Sequence, residues 1–448
     1  MQRYFKTGAT KPYEFRKTQL LKLRASILIH QTAIATALYS DLKKSVEETW
    51  ITETGFLLAE ITYILANLKS WMRAESVGTN LLNFPSKSYI LKEPLGTVLI
   101  IGPWNYPLQL LLTPLAGAIA AGNCVVLKAS EFAPATSTIM KQIISETFDE
   151  RYVLFTDGDG ATVIPEMMNN FIFDHIFYTG STAVGKLIYQ MAAKNLIPVT
   201  LELGGKSPCV VAQDADITVA ANRIAMGKFS NAGQMCVTPD YILVHTSQKE
   251  ALITALKKTL ENFFGKDAKE SYDFGRIINC KQFDRLISYF KEGNIIYGGN
   301  SDRSKLYIEP TLMDNISLDS PIMKEEIFGP ILPIIAFSSM EEALDIIDKN
   351  KNPLAFYIFT QNKEEEKKWI DAIPFGGGCV NNVVFHLTNH KLPFGGRGSS
   401  GTGSYHGKFS FDTFTHKKAI LKTPSWFDPK AKYPSYKGKL SIFKWLMK

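Results

Sequence analysis

A thiol and a carboxylate carry the first chemical signal in this chain. Cys236 closes the segment Asn231-Ala232-Gly233-Gln234-Met235-Cys236, whose small residues read as a flexible approach that leaves the thiol accessible. Upstream, Glu202 lies in Leu201-Glu202-Leu203-Gly204-Gly205, next to a glycine hinge. A thiol nucleophile served by a general base points to acyl-type chemistry. The nucleophile requires a thiolate, hence a local dipole or charge that lowers the thiol pKa. Flanked by two leucines, Glu202 is expected to be partly desolvated, which raises a carboxylate toward the range where a base works near neutral pH. Each has a plainer reading: a buried cysteine acting as a small hydrophobe, and a structural salt bridge.

These groups need a scaffold, and the pattern around them describes one. Residues 15–73 carry apolar positions at helical spacing (Leu20, Leu23, Ile27, Phe56, Leu57, Ile61, Ile64, Leu68) with few breakers, and read as two or more amphipathic helices. From Pro94 short apolar runs alternate with helical stretches: 97–101, 110–121, 124–127, 135–148, 152–155, then 176–178 leading through Gly180 into 186–193. Such alternation is expected of β-α-β units on a parallel sheet. After Glu202 it restarts, with strands at 208–212 and 241–244 around a helix at 217–229, so a second α/β unit begins near residue 204.

Composition bounds the setting. With 448 residues, 45% hydrophobic and 21% charged, the chain is long enough for two or three domains. Its five cysteines are scattered and never form a C-x-x-C pair, which argues against a disulfide framework or zinc knuckle and for a reducing cytoplasm. Histidines are scattered too; His386 and His390 lack an H-E-x-x-H context, so no metal site is expected. Prolines and glycines interrupt the apolar run 98–121, which argues against a membrane span. The net charge of +7 is dispersed, which disfavours nucleic acid. The end, 437–448, differs: lysines alternate with bulky apolar residues in a helix-compatible pattern that either packs on protein or touches a membrane surface.

Several segments address a dinucleotide. Gly158-Asp159-Gly160 lacks the third glycine of a G-x-G-x-x-G loop, and Gly205-Lys206-Ser207 has Thr200 where a Walker A glycine belongs. Thr179-Gly180-Ser181-Thr182-Ala183-Val184-Gly185 is the better candidate, because it follows a strand and opens a helix whose N-H groups and dipole could face a pyrophosphate. Lys128 and Glu131 follow the strand at 124–127, where sheet ends present ligand loops.

Taken together, the chain from about 15 to 431 closely resembles the aldehyde dehydrogenase superfamily. The motifs that carry the resemblance are Glu93-Pro94-Leu95-Gly96, Pro103-Trp104-Asn105-Tyr106-Pro107, Lys128-Ala129-Ser130-Glu131, Phe177-Tyr178-Thr179-Gly180-Ser181, the Glu202 and Cys236 segments, Glu325-Glu326-Ile327-Phe328-Gly329-Pro330 and Leu392-Pro393-Phe394-Gly395-Gly396. The short N-terminus and the stretch from Tyr405 to Phe414 look like the class 3, fatty-aldehyde branch, which implies a homodimer and medium- to long-chain or aromatic aldehydes.

The resemblance implies roles. Cys236 attacks the aldehyde, and Asn105 with the Cys236 backbone N-H stabilises the oxyanion. Hydride leaves for NAD, with NADP possible, and a water activated by Glu202 or Glu326 hydrolyses the thioester; the sequence does not separate the two glutamates. Lys128 and Glu131 hold the adenosine ribose, Gly180, Ser181, Val184 and Gly185 face the cofactor, and Glu326 and Phe328 lie at its nicotinamide end. Tyr106, Met235 and Phe394 line the substrate pocket. Met235, Arg397, Ala129 and Asn382 depart from the branch pattern, so substrate choice is open.

The expected architecture is α/β: a Rossmann-like NAD domain (1–75 and 94–203), a catalytic domain (204–409), and a bridging β element with the tail (76–93 and 410–448). The expected activity is NAD(P)-dependent oxidation of aldehydes to acids. A coenzyme A-acylating dehydrogenase is disfavoured by Glu202, and a non-catalytic protein on the same fold is disfavoured by Cys236.

Overall fold

The structure, a computed structural model, describes residues 1–447. Helices Tyr13–Ile29, Gln31–Leu42 and Gly55–Trp71 form where helical spacing was read, and they bury Leu20, Leu23, Ile27, Ile34, Leu57, Ile61 and Ile64 against the first sheet's helices. Between the second and third lies a π-helical turn, Trp50–Thr54, which carries the fully buried Glu53. Such turns insert a residue into the helical ladder and redirect a side chain.

The first sheet has six strands, in the order Gly401–Thr402, Val199–Glu202, His175–Thr179, Thr97–Ile101, Cys124–Lys128, Val153–Thr156. All pairings are parallel except the first, where Gly401 pairs with Glu202 and Thr402 with Leu201 in antiparallel register. The strands Thr97–Ile101 and Cys124–Lys128 are apolar at nearly every position because helices cover both faces. The interrupted apolar run is a buried strand, Thr97–Ile101, followed by the helix Pro107–Ala121, buried along its whole length; no helix of the described residues is long and apolar enough to cross a membrane.

A second sheet of seven strands runs Asn294–Tyr297, Thr311–Asp314, Ile331–Phe337, Tyr241–His245, Pro208–Val211, Ala355–Phe359, Gly377–Val380, with only the outermost pair antiparallel. A third, antiparallel sheet joins Glu75–Val77, Lys87–Pro94 and Thr415–Lys422.

The expectation that residues 204–409 form one unit differs from the structure at its end. Gly401–Thr402 belongs to the first sheet, and the helix Gly407–Thr413 packs on the helices Gly55–Trp71 and Pro107–Ala121. The strand is two residues long and rich in glycine, with no apolar run to announce it.

Asn123 ties these pieces together from a fully buried position. Its Oδ1 accepts from the Gly96 N-H at 2.9 Å and its Nδ2 donates to the Phe414 carbonyl at 2.9 Å. Asn123→Ala should strand both backbone groups without water and destabilise the fold by about 2–4 kcal/mol, read as a lowered thermal midpoint of the purified protein.

Candidate active site

The ends of the two sheets face each other, and the chemistry-bearing loops meet between them. Cys236 follows a turn in which Asn231 and Ala232 both take left-handed backbone angles (φ 50° each) and Gly233 follows at φ 75°. Two consecutive non-glycine residues in that region store strain, and the surroundings hold them there. A Cβ on Gly233 would come within 2.2 Å of the Gly329 carbonyl, so the turn is pressed against the loop that carries Glu326.

The approach to Cys236 read as flexible is in fact tied through Asn231 and Gln234. The Asn231 N-H donates to Glu48 Oε1 (2.8 Å), and its side-chain amide donates to the Asn105 carbonyl (2.9 Å). Gln234 is fully buried; its amide donates to Asn231 O and Arg276 O and accepts from the Ile278 N-H. The rigidity comes from tertiary hydrogen bonds that small residues permit by leaving room.

Asn105 is buried and its Nδ2 donates to the Gln234 carbonyl at 3.0 Å, which brings its amide to the loop that ends in Cys236. Its own carbonyl is held by Lys44 Nζ at 2.9 Å. Lys44 pairs with Glu53 at 2.7 Å, both fully buried, and Glu53 also accepts from the Gln109 N-H at the start of the helix Pro107–Ala121. The Lys44 ammonium lies 3.8 Å from the centre of the Tyr106 ring. Neither Lys44 nor Glu53 stands in a motif of the chain; Glu53 is one of three carboxylates, with Glu47 and Glu48, that precede the apolar helix Gly55–Trp71.

Cys236 is partly exposed. Burial and the neighbouring Glu326 and Glu202 push its thiol well up, while the N-H groups of Cys236 and Val237 act in the opposite direction. Glu202 is buried and neither of its carboxylate oxygens has a hydrogen-bond partner among the described residues; burial alone holds its pKa well above the usual carboxylate range. Glu326 is pushed up to about 8 by burial and by Asp240, although the Gly205 N-H favours its charged form. Two buried carboxylates without full solvation beside a thiol are groups that can hold and release protons near neutral pH.

The Glu326 loop is clamped from both sides. Lys206 joins Asp240 in a buried pair and donates to Ile322 O and Glu325 O, and the second Asp240 oxygen accepts from the Ile327 N-H. Arg285 donates to Ile327 O at 2.7 Å. Phe328 takes a left-handed φ of 51° and meets Trp104 edge-on, with ring centres 5.3 Å apart. Gly205-Lys206-Ser207, set aside as a phosphate loop, therefore works as a brace for this loop.

The remaining predicted residues divide between the cleft and its surroundings. Lys128 is buried and donates to Glu131 at 3.1 Å, and Glu131 accepts from the Gly160 N-H, so the Gly158–Gly160 segment borders this pair. Ser181 caps the helix Thr182–Ala193 through the Val184 N-H, and Val184 is exposed on its first turn. A cavity of about 490 Å³ is lined by Thr182, Gly204, Gly205 and Glu326 on one side and by Lys349, Asn350, Lys351, Pro353 and Ser399 on the other. Met235 is buried in the main core, and Phe394 stacks between His386 and His406. Tyr405, which no motif singled out for the site, is buried and meets Phe394 edge-on, with ring centres 5.5 Å apart.

These features fit a dinucleotide. A helix N-terminus, a cavity, an unpartnered Glu326 Oε1 among the described residues and a glycine at 204, where a Cβ would collide with Glu326, leave a polar cradle open to a ligand. No cluster able to hold a metal ion occurs among the described residues.

Comparison with known proteins agrees with this geometry. The aldehyde dehydrogenase family model matches residues 1–420. The chain is 48% identical over 443 residues to the 4,4'-diaponeurosporen-aldehyde dehydrogenase of Staphylococcus aureus (98% of this chain, 96% of that protein). It is 44% identical over 440 residues to the dimeric NADP-preferring aldehyde dehydrogenase of Canis lupus familiaris (98% and 96%). The solved substrate-bound state of Staphylococcus aureus AldH superposes with a TM-score of 0.97 at 48% identity, covering 100% of this chain and 98% of that one. The chain belongs to the aldehyde dehydrogenase family. It is an NAD(P)-dependent oxidoreductase that oxidises aldehydes.

The buried Lys44–Glu53 pair gives a test of how Asn105 is held. Lys44→Met leaves Glu53 an uncompensated buried charge, a loss of about 3–5 kcal/mol. The double variant Lys44→Met, Glu53→Leu should recover most of the thermal midpoint but not the activity, because the Asn105 carbonyl then keeps only the Asn231 amide and has lost the ammonium.

Proposed function

We propose that the chain oxidises medium- to long-chain or aromatic aldehydes through a covalent Cys236 intermediate. The observation that carries this is the convergence on one partly exposed thiol of a buried amide, Asn105, and two buried carboxylates, Glu202 and Glu326. The relative named for diaponeurosporen-aldehyde, 48% identical, supports a bulky substrate.

The Cys236 sulfur attacks the carbonyl carbon, its proton passing to a neighbouring carboxylate, and the new oxyanion receives the free N-H of Asn105 and the backbone N-H of Cys236. When bound, the dinucleotide supplies the acceptor for the substrate hydride. The resulting thioester is cleaved by water that Glu202 deprotonates, for which its raised proton affinity is suited. Glu326 is the alternative base; its brace on Lys206 and Arg285, through the loop backbone, favours a fixed role at the ribose instead. With the dinucleotide bound, Phe328 would lie at its nicotinamide end, Lys128 and Glu131 would hold its adenosine ribose, and Gly180, Ser181, Val184 and Gly185 would face its pyrophosphate. Glu131 disfavours a 2'-phosphate, whereas the dog relative is named NADP-preferring. Tyr106, Met235 and Phe394 shape the acyl pocket.

In this reading residues 1–75 and 94–203 form the dinucleotide domain, joined by the edge strand Gly401–Thr402, and the seven-stranded sheet carries the catalytic domain. A homodimer is supported by the dog relative's name and by the exposed edge strand Glu75–Val77, which offers unpaired backbone to a second copy. The tail from 423 holds six lysines and one aspartate, with Trp426, Leu440, Trp445 and Met447 exposed, a composition suited to peripheral contact with an anionic bilayer from the cytoplasmic side.

Reduced-cofactor formation across an aldehyde chain-length series tests the chemistry. Cys236→Ala should abolish turnover, and Glu202→Gln should slow it about 10²–10⁴-fold while acyl-enzyme accumulates, detectable by intact mass. Turnover by Cys236→Ala would overturn the mechanism. Because both carboxylates must lose protons, the rate should rise with pH through the region near 8 where Glu326 ionises. Truncation after residue 422 should release the protein from anionic vesicles in a sedimentation assay and leave turnover of short aldehydes unchanged.

A further inference from the structure

The strand Ala355–Phe359 is buried at every position, and all its side chains but one are apolar. The exception is Tyr357, fully buried and in register with Cys209 on one neighbouring strand and Cys379 on the other. A phenylalanine, as at Phe356 and Phe359, would bring an aromatic ring to such a place with no polar group to satisfy. A buried phenol needs a hydrogen-bond partner, since leaving its hydroxyl unpaired costs free energy. The Tyr357 hydroxyl finds that partner in the Val237 carbonyl, to which it donates at 2.6 Å.

Val237 directly follows the thiol. The Thr238 N-H donates to the Met235 carbonyl at 3.2 Å, which closes a turn with Cys236 and Val237 as its two inner residues. The Thr238 hydroxyl donates to the Gly227 carbonyl at 2.9 Å, on the helix Ile217–Phe229. The peptide between Val237 and Thr238 is therefore held at its N-H by the turn and at its carbonyl by Tyr357, the only donor to that carbonyl among the described residues. Val237 and Thr238 are themselves buried, so bulk water does not stand in for the hydroxyl. The turn matters for the chemistry because it orients two N-H groups, those of Cys236 and Val237, that favour a charged sulfur against burial and the neighbouring Glu326 and Glu202. A peptide plane released at its carbonyl end can rotate, and the residues of the turn shift with it.

We propose that Tyr357 is a positioning residue for the nucleophile: its hydroxyl, through the Val237 carbonyl, fixes the turn that presents the Cys236 sulfur and backbone N-H to the aldehyde. This rests on the reading of Cys236 as the nucleophile. The effect travels through one hydrogen bond and one peptide, and a misplacement of reacting atoms by about 1 Å is enough to cost about 10²-fold in rate.

The test starts from Tyr357→Phe, which removes the hydrogen bond and keeps the ring. Three quantities are read: kcat and KM for one aldehyde at saturating NAD, the rate at which iodoacetamide labels the Cys236 peptide of the cofactor-free protein at neutral pH, and the thermal midpoint. We expect kcat to fall about 10-fold to 10²-fold with KM little changed, and labelling of Cys236 to slow about 3-fold to 10-fold. Replacing Tyr357 by 4-aminophenylalanine, which keeps a donor at the same place, should restore both rates toward the wild type. Asn123→Ala supplies a loss of thermal midpoint that does not touch this turn, and it should leave kcat and labelling near the wild type. A lowered midpoint in Tyr357→Phe with both rates unmoved, or a change confined to KM, would make Tyr357 a packing residue and overturn the inference. Rates that stay low with 4-aminophenylalanine, or that fall equally in Asn123→Ala, would overturn it too while leaving the role of Cys236 standing. Turnover by Cys236→Ala would remove the reading of Cys236 and this inference with it.

Discussion

The Lys44–Glu53 ion pair is the constraint through which the N-terminal helices reach the reacting centre. Both charges are out of water, so each is tolerable only while the other is in place, and each also holds a backbone group: the Asn105 carbonyl and the Gln109 N-H. The π-helical turn at Trp50–Thr54 aims Glu53 inward. An irregularity in one helix therefore sets the placement of an amide that belongs to another element, and the amide in turn meets the turn that carries the thiol.

The same economy recurs around the second carboxylate. Lys206, Asp240 and Arg285 spend their polar atoms on the backbone of residues 322–327, so Glu326 and Phe328 ride on a loop whose position is decided by side chains elsewhere. The strained angles at Asn231, Ala232 and Phe328 fall where these braces act. Strain concentrated beside a nucleophile and held by buried hydrogen bonds is the mark of a preorganised site.

Much of this was legible in the amino-acid order because the information is local. The alternation of short apolar runs with helical stretches marked most strands of the first sheet to within a residue, and the helix at 217–229 coincides with Ile217–Phe229. Cys236, Glu202 and Asn105 announced themselves by residue type and by glycine and proline neighbours. What stayed hidden depends on residues far apart in the chain. Lys44 looks like any surface lysine until its ammonium is seen on the Asn105 carbonyl, and Gln234 looks like a flexible spacer until its three bonds are drawn. Gly158-Asp159-Gly160 lacks the third glycine of a dinucleotide loop, yet its last N-H lies on Glu131, a relation that spacing does not encode.

The edge strand Gly401–Thr402 has a temporal meaning as well as a spatial one. Glu202 lies on what remains the open margin of the first sheet until some two hundred further residues have been synthesised and returned to it. During elongation the second domain can assemble while the first still presents that margin and, through Asn123, an unclaimed partner for Phe414. The nascent chain must therefore keep its half-finished sheet from pairing with a neighbour, and Glu202 gains its edge partner only after residues 401–402 have been made.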